Sequence, residues 1–169
     1  MALPRKLKNF AVFKDGISYL GQVPELTPAV LTRKMEDYQA GGMGGPVKQD
    51  FGMDALSMEY KMAGWADGSH SGFGAVRHDA TMLRFSGAID NEDTGQVDVA
   101  EIVARGRISE IDKGSAKVGE ATEHTYKIEL SYYKEVLNGQ TIVEIDFVNM
   151  IEVIDGVDNQ AAVRAALGV

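Results

Sequence analysis

The chain of 169 residues contains no cysteine. That absence excludes a disulfide framework, a thiolate metal centre and a cysteine nucleophile, and it fits synthesis in a reducing compartment. Tryptophan occurs once and proline four times. One Trp among scattered tyrosines offers little for an aromatic carbohydrate- or lipid-binding platform. Positive charge is also scarce. Lys+Arg 17 against Asp+Glu 25 give a formal charge of −8, which disfavours a nucleic-acid binder held by phosphate neutralisation. No apolar run approaches the ~20 residues of a membrane-spanning helix. The opening Met1 to Asn9 carries basic residues but no apolar core for a signal peptide, so a soluble, unprocessed protein is expected.

What is present is ordinary globular material, with 44% hydrophobic and 25% charged residues. One domain over residues 1–169 accounts for it. The two half-polar stretches Val30 to Asp37 and Val47 to Met62 flank the glycine-dense corner Gln39 to Pro46, which reads as a long β-hairpin with a loose tip. Two strands are marginal in water, so the hairpin needs more sheet, supplied here by other copies of the chain. Alternation of period two recurs along the sequence. Leu56, Met58, Tyr60 and Met62 face a core while Ser57, Glu59 and Lys61 face water. Ala100, Ile102, Ala104, Gly106 and Ile108 oppose Glu101, Val103, Arg105 and Arg107. Tyr126, Ile128, Leu130 and Tyr132 oppose Thr125, Lys127, Glu129 and Ser131. Counting Val30 to Asp37, four long strands have a wet face.

Turn chemistry separates the strands. Asp15-Gly16 and Asn138-Gly139 supply the positive φ that tight hairpins need, and Pro24 and Pro28 bracket a kinked edge segment. Met150 to Ile154 is apolar enough for a central strand. A helix is expected over 158–167, capped by Asp158 and closed by Gly168, with Val163 and Leu167 on one face. Gly64 to Gly74 has four glycines and no period, so it reads as a loop with at most one helical turn. The fold class is therefore mainly β, with one short C-terminal helix and at most one more.

Catalytic and metal signals are weak. His70, His78 and His124 share no ligand spacing, and Gly68-Ser69-His70-Ser71-Gly72 has His where a nucleophile elbow needs Ser. Asp90 to Glu101 matches several positions of a calcium loop, but its flanks read as strands and Thr94 occupies the fifth position, so a solvated acidic turn is expected. Nothing apolar surrounds Glu36 and Asp37 to raise a carboxylate pKa. No enzyme, metal or cofactor is expected.

The order of short motifs carries more information. Leu3-Pro4-Arg5-Lys6-Leu7-Lys8-Asn9-Phe10, Asp15-Gly16, Leu20-Gly21-Gln22-Val23-Pro24-Glu25-Leu26 and Lys34-Met35-Glu36-Asp37-Tyr38 come first. Gly41-Gly42-Met43, Gly45-Pro46-Val47, Ser131-Tyr132-Tyr133-Lys134, Asn138-Gly139, Glu144-Ile145-Asp146, Asn149 and Gly156-Val157-Asp158 follow. In that order the chain resembles the major tail tube proteins of contractile-tailed phages, with R-type bacteriocin tube proteins as close relatives. The glycines of Trp65 to Asp79 depart from the family, which tends to place a helix there.

The resemblance implies an antiparallel β-sandwich or barrel of the tail-tube type, lending strands to a multi-subunit β-barrel in stacked hexameric rings. It implies a virion tail component made in the host cytoplasm, with a contractile sheath protein, a baseplate and tube-terminating proteins as partners and DNA passing without specific binding. Lys34, Glu36, Glu59, Lys61, Glu101, Arg105, Lys127 and Glu129 become the lumen candidates. The extended arm 1–9 and the hairpin tip 38–46 become ring–ring contacts, through Leu3, Arg5, Leu7, Tyr38, Gly41, Gly42, Met43, Gly44, Gly45 and Pro46. A non-catalytic ligand-binding β-sandwich and the tube of a related secretion machine are the competing readings.

Overall fold

A computed structural model describes residues 3–169; Met1 and Ala2, the start of the expected arm, lie outside the described residues. Twelve strands and one helix follow in chain order: β1 (Lys6–Lys14), β2 (Ile17–Ser18), β3 (Glu25–Thr27), β4 (Arg33–Tyr38), β5 (Val47–Met53), β6 (Leu56–Ala63), β7 (Thr81–Asn91), β8 (Gln96–Asp112), β9 (Glu123–Leu137), β10 (Gln140–Asp146), β11 (Ile151–Ile154), β12 (Val157–Asp158) and α1 (Ala161–Leu167). All pairings between these strands are antiparallel, and one isolated parallel bridge joins Phe73 to Ile108. Ten strands form one sheet in the order β12-β11-β10-β9-β8-β7-β1-β2, with β6 and then β3 branching from β9; β4 and β5 pair only with each other.

The branch is possible because β9 is long. β8 covers one of its edges, while the other is shared by β6 on residues 123–130 and β10 on 132–137. The handover falls at a β-bulge, where Gly106 pairs with Leu130 and Arg105 with Tyr132, leaving Ser131 as the extra residue. This bulge corrects the expected alternation. Tyr133 takes the core position, and Tyr132 turns to the wet side, where its hydroxyl donates to Glu144 and its ring lies under Arg105.

Before the bulge, the period-two reading holds. Leu56, Met58, Tyr60, Met62, Ile102, Ala104, Ile108, Tyr126, Ile128 and Leu130 join Val12, Leu83, Phe85, Val143 and Ile145 in one buried cluster. Since dry residues from six strands meet in one cluster, the sheet curves around it. Both expected tight turns are present, with positive φ at Asp15, Gly16, Asn138 and Gly139.

Four further expectations are corrected. The hairpin's return stretch breaks at Asp54 and Ala55 into β5 and β6, and the broken-off part of the hairpin, β4 with β5, has no buried residue. Met150 to Ile154 supplies β11, which is followed towards the sheet edge only by the two-residue β12, and its inward residue is Glu152 rather than an aliphatic. The arm is not free, because Lys6 to Asn9 extend β1 along β7. The helix begins at Ala161 without a side-chain cap, and Asp158 serves instead in an ion pair with Arg164; Gly168 closes it at φ 77°. Val163 and Leu167 are exposed, so no residue of α1 reaches the core. Residues 65–79 hold turns and no helix.

Gly106 provides a test of the bulge. A Cβ there would sit 2.1 Å from the backbone oxygen of Glu129, whereas at Gly87 it would meet only the side chains of Leu7 and Phe85. Gly106→Ala is expected to destabilise the fold by about 1–3 kcal/mol or more, because backbone cannot yield as a side chain tip does. Urea melts should rank Gly106→Ala well below Gly87→Ala in stability.

Candidate functional site

Three exposed features emerge from the strands. The first is the hairpin β4–β5. Its ladder keeps the register of β3–β6, since Arg33 lies six positions after Thr27 and Glu59 six positions after Met53. The Asp54 amide donates to the Thr32 carbonyl at 2.8 Å across the gap. One long ribbon therefore leaves the sheet, interrupted near Pro28, which has no amide to donate. Val30, Leu31, Met35, Tyr38, Val47 and Phe51 are all exposed on it. Within the tip the backbone turns at Gly42, whose φ is 88°, and Met43 donates its amide to the Ala40 carbonyl at 3.2 Å.

The second feature is the wet face of the curved sheet. Register puts Glu59 beside Lys127, Ser57 beside Glu129 and Arg107 beside Glu129, while Glu101 and Arg105 continue the same face of β8. Lys127 and Glu129 pair at 3.6 Å, Lys61 reaches Glu25 at 2.6 Å, and Glu101 pairs with Arg84. Lys34 and Glu36 pair at 3.5 Å on the face of β4 opposite Arg33. The eight lumen candidates thus carry four charges of each sign, and the six on the main sheet share one surface.

The third feature joins the arm to the acidic turn between β7 and β8, an attachment the sequence reading missed. Arg5 reaches Asp98 at 2.7 Å, Lys6 reaches Glu92 at 3.4 Å, Lys8 reaches Asp90 at 3.0 Å, and the Leu3 amide donates to Asp93 at 2.8 Å. The alternating basic residues of the arm, set against a run of acids, were the available signal. Arg5 and then Asn138 hold the Asp98 carboxyl below its ordinary range. Of the ring–ring candidates, Leu3, Arg5 and Leu7 belong to this docked arm. Tyr38, Gly41, Gly42, Met43, Gly44, Gly45 and Pro46 belong to the hairpin tip, and no strand pairing joins the two groups within a chain.

A fourth element, the loop 64–74, is tied down from beneath. Lys14 is buried, and its ammonium donates to the carbonyls of Gly68, Ser69 and Ser71 at 3.2, 2.9 and 2.6 Å and to the Ser71 hydroxyl at 3.1 Å. Burial pushes its pKa down, against a smaller opposing pull from Asp15. The inward parity of Val12 and Lys14 on β1 could have revealed it. The Tyr19 hydroxyl donates to the Asp67 carbonyl at 3.2 Å. His70 and His124, far apart in sequence, stand edge to face at 6.1 Å between ring centres, and Trp65 stands edge to face with His124 at 4.9 Å. Such packing holds a loop that exposes Trp65 and Phe73. Within the loop the Ser69 hydroxyl meets His70 Nδ1 at 2.8 Å.

The hairpin has no dry face, and the wet face of the sheet carries balanced charge. The family described as phage tail tube protein FII matches residues 4–168. The chain belongs to that family. It is 42% identical to the tail tube protein of Escherichia phage P2 over 99% of both chains, and 40% identical to the major tail tube protein of Serratia phage KSP20, covering 92% of this chain and 91% of the relative. A chain of the PVC sheath–tube complex, an extracellular contractile injection system, shares the fold with a TM-score of 0.58 at 8% identity, covering 79% of this chain and 90% of the other. The chain is a tail tube protein of the contractile-phage type. Its role is structural, in the inner tube of the tail, and it is no enzyme.

The arm of this tail tube protein should respond to acid. A carboxyl whose folded pKa is depressed contributes stability above its unfolded value, near 3.8, and loses it as pH falls through the folded value. Amides of Lys6 to Asn9 should therefore exchange hydrogen faster, relative to the core, once pH drops below about 4. In Asp98→Asn that pH dependence should largely vanish, with exchange already fast at pH 7.

Proposed function

We propose that the protein builds the tube by closing into hexameric rings that stack around a channel, the ribbon β3–β4/β5–β6 of each copy continuing the sheet of its neighbours. The observation that carries this reading is the hairpin β4–β5, exposed on both faces and unpaired with the rest of its chain. An isolated two-stranded ribbon is marginal in water, so further sheet must cover it. A closed barrel removes the unpaired edges that an open sheet presents.

In this reading Lys34, Glu36, Glu59, Lys61, Glu101, Arg105, Lys127 and Glu129 line the channel. Equal numbers of each sign, in a chain of formal charge −8, give passing DNA no basic track on which to stall. The tip and the arm meet the next ring. A contractile sheath protein surrounds the tube, and baseplate and tube-terminating proteins set its ends. The same subunit suits a headless particle or a secretion machine, but the phage relatives at 42% and 40% identity favour a phage tail.

Negative-stain electron microscopy with sedimentation velocity tests the assembly. Six-fold rings or hollow tubes are expected at high concentration or on a baseplate. A compact monomer that neither stacks nor joins a baseplate-nucleated tube overturns the reading. Within the tip, only Gly42 needs a left-handed backbone, and a Cβ meets nothing at Gly41, Gly44 or Gly45. Gly42→Ala should slow tube growth, while alanine at the other three should leave it within about twofold, as measured by light scattering.

A further inference from the structure

Among the described residues the hairpin β4–β5 pairs with no other strand, yet one side chain anchors its base. Arg33 donates through Nε to Asp50 on β5 and through Nη1 to Glu152 on β11, each at 2.5 Å. Asp50 is itself fixed, its other oxygen accepting the Gly52 amide at 2.8 Å beside the bulge in this ladder. Glu152 is 6% exposed and shares the face of Ile145, its ladder partner in the core. Arg33 is its one ion-pair partner among the described residues.

Its remaining donors come from the C-terminal segment. Asn159 Nδ2 donates to it at 3.1 Å and Gln160 Nε2 at 3.4 Å, just before α1 begins. Next to them Asp158 pairs with Arg164, whose Nη1 donates to the Met150 carbonyl at 2.6 Å. Met53, opposite Arg33 in the ladder, lines a groove of about 210 Å³ with Ile145, Phe147, Met150, Ile151, Glu152 and Gln160. Three segments thus meet on one inward carboxylate: the hairpin, the sheet edge and the approach to the helix.

We propose that Arg33 is a positioning residue for tube assembly, which fixes the direction in which the hairpin leaves the sheet by clamping it to Glu152 and, through Glu152, to the C-terminal segment. The assembly part of this proposal rests on the tube reading above. Geometry supports the clamp: a guanidinium presents a planar fork that serves two carboxylates at once, which a lysine ammonium does not reproduce. A buried partner also keeps the pair from the screening that weakens exposed ones. Around the ribbon's break at Asp54 and Ala55, the Asp54 to Thr32 backbone bond and the packing of Met53 against the core are the other restraints on rotation.

The chain's lack of cysteine permits a direct measurement. Spin labels at Met43→Cys on the tip and Gln140→Cys on the exposed end of β10 report the hairpin's direction as a distance distribution. The parent should give a narrow distribution, and Arg33→Gln one at least twofold broader, with an unchanged circular dichroism spectrum. Elongation from preformed tubes of the parent should slow at least tenfold in Arg33→Gln, and Arg33→Lys should recover part of it. Should Arg33→Gln fail to fold, Arg33→Gln/Glu152→Gln removes the unpaired buried charge, and the same broadening is expected. An unchanged distribution in a folded variant, or broadening with parental growth, overturns the proposal. If the parent forms no tubes, the tube reading fails, and the distance comparison alone still decides whether Arg33 sets the hairpin.

Discussion

The fold depends on one strand being paired along both edges while serving two partners on one of them. β9 achieves this with the extra residue at Ser131, which lets β6 end and β10 begin without leaving a gap in the ladder. The close approach of the Glu129 carbonyl to Gly106 leaves no room for a side chain at that point. Because β6 is thereby directed away from β10, the ribbon that continues it leaves the body of the sheet instead of extending it. The hairpin's isolation within one chain follows from that geometry.

Two inward charges lie outside the middle of the sheet, Lys14 on β1 and Glu152 on β11, and neither adds much to a core by itself. Removing an ion from water is unfavourable unless hydrogen bonds and partners offset the loss. Lys14 is satisfied by the carbonyls of loop 64–74, and Glu152 by Arg33 and two amides. Each charge therefore orders a segment that has few apolar contacts of its own. The protein uses polar specificity at its flanks and apolar burial at its centre.

Alternation revealed the core faces of β6, β8 and the first half of β9, because one buried face imposes period two on the sequence. It failed at Tyr132 and Tyr133, since an inserted residue reverses parity without changing composition. Of the strand expected over Val30 to Asp37, only the part from Arg33 forms one, and its exposure on both sides was not legible, because a half-polar pattern looks the same whether its apolar residues meet a core or another copy. Met150 to Ile154 looked central because four of five residues are apolar; the decisive residue was the one charge, Glu152. The arm's docking and the meeting of His70 with His124 join residues separated by more than fifty positions; matching charge hinted at the first, and no local pattern encodes the second. Among the candidate residues, the shared face of Glu59, Lys61, Glu101, Arg105, Lys127 and Glu129 was readable in advance, whereas the attachment of Leu3 and Arg5 was not.

Differences between ion pairs explain how a ribbon can be both aimed and adaptable. Towards the tip, Lys34–Glu36 and Lys48–Asp37 are exposed on both partners at 3.5 and 3.3 Å. Such pairs contribute roughly 0–1 kcal/mol each and are readily exchanged for contacts with another molecule. At the base, Arg33 holds a carboxylate that is nearly inaccessible to water, and breaking such a pair strands a charge at a penalty of about 3–5 kcal/mol. The gradient runs from fixed to exchangeable along a single hairpin. In the proposed tube, a segment that meets a neighbour in one direction, yet fits its surface in detail, requires that order and not the reverse.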